Sequence, residues 1–240
     1  MLFEDTFKMG LKDIGIDNLI KNRAMLEILE NIAAYHSDLV GFGANDTAKI
    51  KLTWILLDWK LEIKNRPKYG QDIKVVTWSR TANKFFTYRD FEIYSNGELV
   101  AIASSKWTLI NIEKRKMTRI TEDIIDKYKP EDRHVFDNPD IDKLEVPEKF
   151  TSEVEYTVIR KDIDINKHMH NLYYLDLAYE ALPDDVYQED RPFDNVRIMY
   201  KKEIMFGDTV KCQYVKEKNK HIVVIKSQDE KKLHAVIELY

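Results

Sequence analysis

The sequence predicts an α+β chain of two tandem units, each a long amphipathic helix covered by a curved antiparallel sheet. Three observations carry this reading. Shifted by 149 residues against itself, the 240-residue chain lays KDIGIDNLI (12–20) over KDIDINKHM (161–169). In the same register Met25, Ile28, Leu29, Ile32 and Ala33 fall on Tyr174, Leu177, Ala178, Ala181 and Leu182. Spacings of three, four and seven line one helix face, so each set is a buried stripe. After each helical stretch the pattern changes to the alternation of half-buried strands.

The helices are expected over 22–38 and 170–182. In the first half, strands rich in Trp, Phe, Tyr, Val and Ile follow near 52–63, 71–79, 85–95 and 98–112. Asn96-Gly97 marks a type I′ hairpin, because both central positions of that turn need positive φ. The second half repeats the plan with strands near 195–206, 208–216, 221–227 and 232–239, and polar turns at 217–220 and 228–231. WKLEI at 59–63 matches YKKEI at 200–204, which makes Glu62 the first-half echo of Glu203, and Tyr69-Gly70 matches Phe206-Gly207. Residues 128–150 carry three prolines and many acids without a sustained period and read as a linker. The expected domains are therefore 1–127 and 151–240. A sheet of large apolar residues must bury one face, and the long helix is the element able to cover it. This is the hotdog arrangement, and two in one chain make a double hotdog.

Composition narrows the function. With 44% hydrophobic and 33% charged residues, the chain is an ordinary globular protein. One cysteine, Cys212, excludes a disulfide framework and a thiolate metal cluster, and its strand context reads as plain packing. A net charge of −4 argues against nucleic-acid binding by phosphate neutralisation. The apolar runs are too short for a membrane span, and the acidic start MLFEDTFKMG is unlike a signal peptide. A cytoplasmic protein without metal or cofactor is expected. No Gly-x-Ser-x-Gly elbow occurs, and GFGAND at 41–46 lacks the third glycine of a dinucleotide loop.

The stretch from Asp164 to Asn171 (DINKHMHN) differs from the rest. Asp164, Asn166 and His168 alternate just before an apolar helix, and an extended segment there directs all three to one side. The helix start offers backbone N–H groups to a developing oxyanion. The first half has Gly15, Asp17 and Leu19 at these places, so it lacks the carboxylate and the imidazole. Helix capping and a solvated histidine are the plain alternatives for each residue singly. His168 and His170 lack the further ligands of a metal site.

DIDINKHMHNLYYLDLAYEALP resembles the D-x-N-x-H-x-x-N segment of the acyl-acyl carrier protein thioesterases of plant plastids and bacteria. GFGAND, TWILLDWKLEIKNRPKYGQDIKVVTW, ASSKWTLINIEKRKMTRI and MYKKE at 199–203 resemble further stretches of that family, in order, over more than 200 residues. The resemblance implies a double hotdog, hydrolysis of fatty acyl-acyl carrier protein, an acidic carrier protein as partner, and functional residues at Asp164, Asn166, His168 and Glu203. Plant members often carry a cysteine after that glutamate; Ile204 stands there in this chain. A Cys–His mechanism is therefore not expected.

On this reading Glu203 is the general base for water, with desolvation in an acyl pocket raising its basicity. Asp164 and His168 orient the network, Asn166 positions water or the carbonyl oxygen, and His168 as the base is the competing assignment. The first half then shapes the acyl pocket, with Met25, Leu29, Trp54 and Trp59 as lining candidates whose plain alternative is core. Lys201 and Lys202 are candidate contacts for the acidic partner. An acyl-CoA thioesterase, a non-catalytic acyl-binding sensor and a hotdog dehydratase are the competing functions. Chain-length preference and dimerisation stay open.

Overall fold

The computed structural model describes residues 1–187 and 193–240, which fall into two compact units, Met1–Ile141 and Asp142–Tyr240. Unit 1 runs β1 (Phe3–Lys8), α1 (Asn22–Leu39), the single turn α2 (Thr47–Ile50), β2 (Leu52–Ile63), β3 (Asp72–Ser79), β4 (Phe86–Ser95), β5 (Glu98–Asn111), β6 (Lys116–Thr118) and the short α3 (Glu122–Ile125). Its strands pair antiparallel in the order β1-β3-β4-β5-β2, with β6 on β5. Unit 2 runs β7 (Ser152–Thr157), α4 (Tyr173–Glu180), the single turn α5 (Asp184–Tyr187), β8 (Asn195–Tyr200), β9 (Thr209–Glu217), β10 (Lys220–Ser227) and β11 (Leu233–Leu239). Its order is β8-β11-β10-β9-β7, again antiparallel.

The amphipathic pattern decides both packings. Met25, Ile28, Leu29, Ile32 and Ala33 are all buried, as are their counterparts Tyr174, Leu177, Ala178, Ala181 and Leu182. In β2 a bulge between Leu56 and Asp58 inserts one residue, so Trp54 and Leu56 share a face with Trp59, Leu61 and Ile63 despite their opposite parity. Asn96 and Gly97 adopt φ of 52° and 82° between β4 and β5, the double left-handed geometry of a type I′ turn.

Two element boundaries differ from the sequence expectation by three residues or more. The strand expected over 195–206 ends at Tyr200, because the N–H groups of Lys201 and Lys202 both turn to the His234 carbonyl and break the ladder. The second helix starts at Tyr173 rather than 170, since residues 170–172 are spent in turns.

The internal repeat extends to individual hydrogen bonds. Gly15 N–H donates to the Leu19 carbonyl (2.8 Å) as Asp164 N–H donates to that of His168 (3.0 Å). Ile14 bridges Ile20 as Ile163 bridges Met169. Ile20 N–H reaches Pro67 (3.0 Å) as Met169 N–H reaches Ile204 (2.8 Å). Lys64 and Asn65 donate to Val100 as Lys201 and Lys202 donate to His234. These last pairs set the later offset at 137 residues, which puts Arg66, not Glu62, opposite Glu203. The WKLEI and YKKEI match is a four-residue slip: Glu62 lies within β2, whereas Glu203 lies beyond the end of β8.

Unit 1 also buries a polar pair. Arg89 donates from Nη1 to His36 Nδ1 (2.9 Å) and to Thr77 Oγ1 (3.3 Å), and the His36 ring stacks on Phe3. A guanidinium cannot accept, so Nδ1 must keep its lone pair. Burial and the neighbouring Arg89 charge push the imidazole down to about 3. The unfolded chain takes up this proton near the ordinary histidine value, and the folded chain does so only near 3. Stability therefore falls with acidification across that window. Denaturant midpoints are expected to drop between pH 6.5 and 5, above most carboxylate titration, and His36→Asn should flatten that slope. An equally steep slope in the variant would assign the acid sensitivity to another group.

Candidate active site

The residues singled out in the second half come together on two linked loops of unit 2. The first is the tight turn Asp164–His168, not the extended segment expected. Asp164 N–H bonds the His168 carbonyl and Lys167 N–H the Asp164 carbonyl (3.0 Å each), and Lys167 takes φ of 68°. Asp164 favours the turn by accepting the Asn166 N–H at Oδ1 (2.7 Å), an Asx turn. Asp164 and His168 thus face each other as the flanks of a turn, with Oδ1 and Nδ1 3.8 Å apart. Asn166 is exposed, and its Nδ2 donates to Asp164 Oδ2 (3.3 Å).

The second loop carries Glu203. Met169 N–H bonds the Ile204 carbonyl and His168 bridges Met205, which places Glu203 within two residues of the His168 pairing. The Tyr174 phenol donates to the Lys202 carbonyl (3.4 Å), and the His234 Nδ1–H donates to the same oxygen (3.0 Å). Tyr200 donates to the Asn171 carbonyl (3.0 Å) and meets Tyr174 edge-on. Burial raises the Tyr174 phenol well above the usual tyrosine range, and the negative charges of Glu203 and Asp164 raise it further. Both carboxylates therefore lie around one neutral phenol. Glu203 itself is exposed, so the desolvated pocket expected around it is not formed by the chain alone.

The oxyanion expectation also changes. The N–H groups of Tyr173, Tyr174 and Leu175 are taken by the carbonyls of His170, Asn171 and Leu172, and Leu172 N–H bonds His170 Nδ1 (3.3 Å). His170 N–H is held by the Asp162 carbonyl. From 170 to 175, the Asn171 N–H is the amide left without an acceptor among the described residues. Cys212 is buried in β9, where burial pushes its thiol up to about 12, the inert form. In unit 1, Met25, Leu29 and Trp59 are fully buried. Trp54 is half-buried against Leu109, Ile120, Ile124 and Ile125, with its Nε1–H on Tyr128 Oη (2.8 Å).

Sequence reasoning missed the residue that holds the candidate turn in place. Asp162 is buried, and its Oδ2 accepts the Ile159 N–H (2.9 Å) and the Tyr156 hydroxyl (2.7 Å). Tyr156 is pushed up to about 12, by burial first and then by the Asp162 carboxylate. Asp13 makes the matching bond to Gly10 N–H (2.8 Å) in unit 1. The signal was the Lys-Asp-Ile shared by the two repeats, which marks common scaffold rather than chemistry.

Two tandem hotdog units, with a carboxylate–imidazole turn in the second alone, define a double-hotdog protein with one candidate site. The chain belongs to the acyl-ACP thioesterase family: the model of its N-terminal domain matches residues 1–128 and that of its C-terminal domain residues 145–238. Curated relatives include the chloroplastic oleoyl-acyl carrier protein thioesterase 2 of Arabidopsis thaliana, 24% identical over 225 residues, covering 87% of this chain and 61% of that protein. The chloroplastic palmitoyl-acyl carrier protein thioesterase of Cuphea hookeriana is 24% identical over 219 residues, covering 85% of this chain and 52% of that protein. The chain thus spans only 61% of the first relative's length. Among solved structures, an acyl-ACP thioesterase from Bacteroides thetaiotaomicron superposes with a TM-score of 0.86 at 22% identity, covering 99% of this chain and 96% of that one. The 12:0-ACP thioesterase of Umbellularia californica gives 0.87 at 17% identity, with the same coverages. These likenesses establish the double-hotdog fold. No helix among the described residues is long and apolar enough to cross a membrane.

Removing the Asp162 carboxylate should loosen the turn without touching the reacting groups. Asp162→Ala is expected to cost about 1–3 kcal/mol in denaturant unfolding, because the Ile159 N–H and the Tyr156 hydroxyl both lose a charged acceptor. A loss below a few tenths of a kcal/mol would show that the backbone pairs alone hold the loop.

Proposed function

We propose that this chain hydrolyses the thioester of fatty acyl-acyl carrier protein, releasing free fatty acid and holo-carrier protein. One observation carries the reading: of two turns matched in their main-chain bonds, only the second holds a carboxylate and an imidazole, with a second carboxylate, Glu203, alongside, in a chain whose halves both match the thioesterase family.

Glu203 takes a proton from water as the water oxygen adds to the thioester carbonyl. The chain leaves this carboxylate exposed, so the acyl thioester itself supplies the desolvation that strengthens it as a base. Asp164 faces His168 across the turn at 3.8 Å and orients it, and Asn166 braces the Asp164 carboxylate. The Asn171 N–H is the free backbone donor for the oxyanion. When the tetrahedral adduct collapses, the C–S bond breaks, and the proton taken from water passes through Glu203 or His168 to the departing sulfur. His168 as the base, with Glu203 as its partner, gives the same balance. The buried, protonated Cys212 takes no part. In unit 1, Met25, Leu29 and Trp59, between α1 and the sheet, with Trp54 at the margin, shape the acyl pocket.

The test is free-thiol release from a ladder of acyl-carrier-protein thioesters beside the matching CoA esters. Turnover favouring the carrier series supports the reading; preference for CoA would move the partner, and absence of release would leave a binding protein. Glu203→Gln and His168→Ala should each lower turnover by about 100-fold or more, while Glu62→Gln, within β2, should change it little. Near-normal rates in either of the first two variants would sink the assignment.

A further inference from the structure

The two loops of the candidate site expose far more than its acids. Ile159, Ile165, Met205 and Phe206 are 46%, 83%, 44% and 56% exposed. Around them stand Arg160, Lys161, Lys167, Lys201 and Lys202, all exposed. Arg160 lies over the Phe206 ring at 5.8 Å, so the cationic and apolar groups form one surface. Among the described residues none of these five cations has a carboxylate partner. Some lysines elsewhere are paired: Lys74 with Glu4 (2.9 Å), Lys220 with Glu238 (2.7 Å), Lys211 with both Glu153 and Glu230. These five stand where a chain of net charge −4 has its candidate chemistry.

The first repeat is an internal control. Its loops expose Leu11, Ile16 and Tyr69, so the apolar tips are common to both units. The cation positions are not. Leu11, Asn18 and Asn65 stand where unit 2 has Arg160, Lys167 and Lys202, and the counterpart of Lys161, Lys12, is paired with Glu27 (3.0 Å). Lys64 alone matches Lys201 as a cation without a carboxylate partner among the described residues. Lys21 and Lys68 of the first repeat are also exposed, without a carboxylate partner among the described residues, so the repeats differ in where the cations stand: only the second sets them around a carboxylate and an imidazole.

We infer that this surface docks the acidic carrier protein, with Ile165, Met205 and Phe206 as its apolar centre and Arg160, Lys161, Lys167, Lys201 and Lys202 as its cationic rim. The inference rests on the carrier-protein reading given above. An acidic protein is the occupant that the exposed cations favour, and a carrier must dock within reach of His168 and Glu203 for its pantetheine-linked thioester to meet them. The rim cations steer the encounter and fix its register, and the apolar tips are covered on contact.

The test uses the full chain carrying Lys161→Glu, Lys167→Asn and Lys201→Glu together. Asparagine already occupies the matching left-handed position in the first repeat, at Asn18 with φ of 61°, so that turn is kept. KM for acyl-carrier protein should rise about tenfold or more with kcat nearly held, and the same acyl group on pantetheine alone should react within about twofold of wild type. Wild-type KM for the carrier substrate should rise with salt between roughly 50 and 300 mM, as exposed charges become screened. Calorimetric titration with unacylated holo-carrier reads docking apart from chemistry. Unchanged KM and unchanged holo-carrier affinity in the triple variant, with wild-type hydrolysis intact, would overturn the docking surface and leave the activity standing. An equal KM rise for acyl-CoA would reassign the rim to phosphate recognition, and an equal loss on acyl-pantetheine would reassign it to the catalytic turn. A wild-type dimer that the triple variant or Ile165→Ser splits in sedimentation would give the surface to a second copy of the chain. Salt-sensitive holo-carrier binding without hydrolysis of any thioester would keep the surface and overturn only the activity.

Discussion

The site depends on a brace that each unit makes from one buried carboxylate and a few main-chain bonds. Asp162 closes the loop after β7 by holding Ile159 N–H, while its carbonyl holds His170 N–H. Between those two points the chain can only double back, and Asp164 and His168 become its facing flanks. Met169 then fixes the turn to the segment leaving β8. Three local constraints thus bring Glu203 beside His168 although 35 residues separate them in sequence. Asp13, Gly15, Leu19 and Ile20 perform the same steps in unit 1. The brace is therefore scaffold, and whatever flanks it is free to vary.

That freedom explains how two copies of one unit come to differ in chemistry. Gly15 against Asp164, Leu19 against His168 and Arg66 against Glu203 are side-chain exchanges on a shared backbone, and Arg66 satisfies the Ile20 carbonyl. Unit 1 puts its titratable pair inside instead: Arg89 and His36 sit within the helix–sheet core, where a proton change costs stability. Unit 2 keeps its acids and its imidazole at the margin of the fold. Charge there is tolerated by solvent until a substrate displaces it.

The sequence made the fold legible wherever burial is periodic. The α1 stripe, its α4 counterpart, the β2–β5 meander and the Asn96-Gly97 hairpin all follow from apolar spacing or from the φ that a turn demands. The bulge in β2 was not legible, because adding one residue leaves an apolar run looking continuous. The 164–168 turn was misread for a related reason: alternation of Asp, Asn and His suits a strand, whereas Asp164 capping Asn166 and a left-handed Lys167 are local hydrogen-bond choices that override it. The Glu62 echo failed because residue identity at WKLEI competes with main-chain register, and register is what the fold preserves. Asp162 went unnoticed as a side chain because its role is to satisfy backbone, which no spacing of catalytic types reveals.

An inert thiol and an exposed glutamate together constrain how such a site can work. With Cys212 buried and protonated, that thiol is not the nucleophile; on the proposed reading water attacks the thioester, and a carboxylate bathed in solvent is a weak base toward it. The fold alone does not dry Glu203; the tips that could close over it, Ile165, Met205 and Phe206, are themselves waiting to be covered. On the proposed reading, the partner that delivers the thioester also completes the environment in which Glu203 becomes effective. Recognition and catalysis are then coupled through desolvation. A substrate that brings the acyl chain but not the carrier surface leaves the cationic rim and the apolar tips in water, and loses encounter rate through the first and part of the exclusion of solvent through the second.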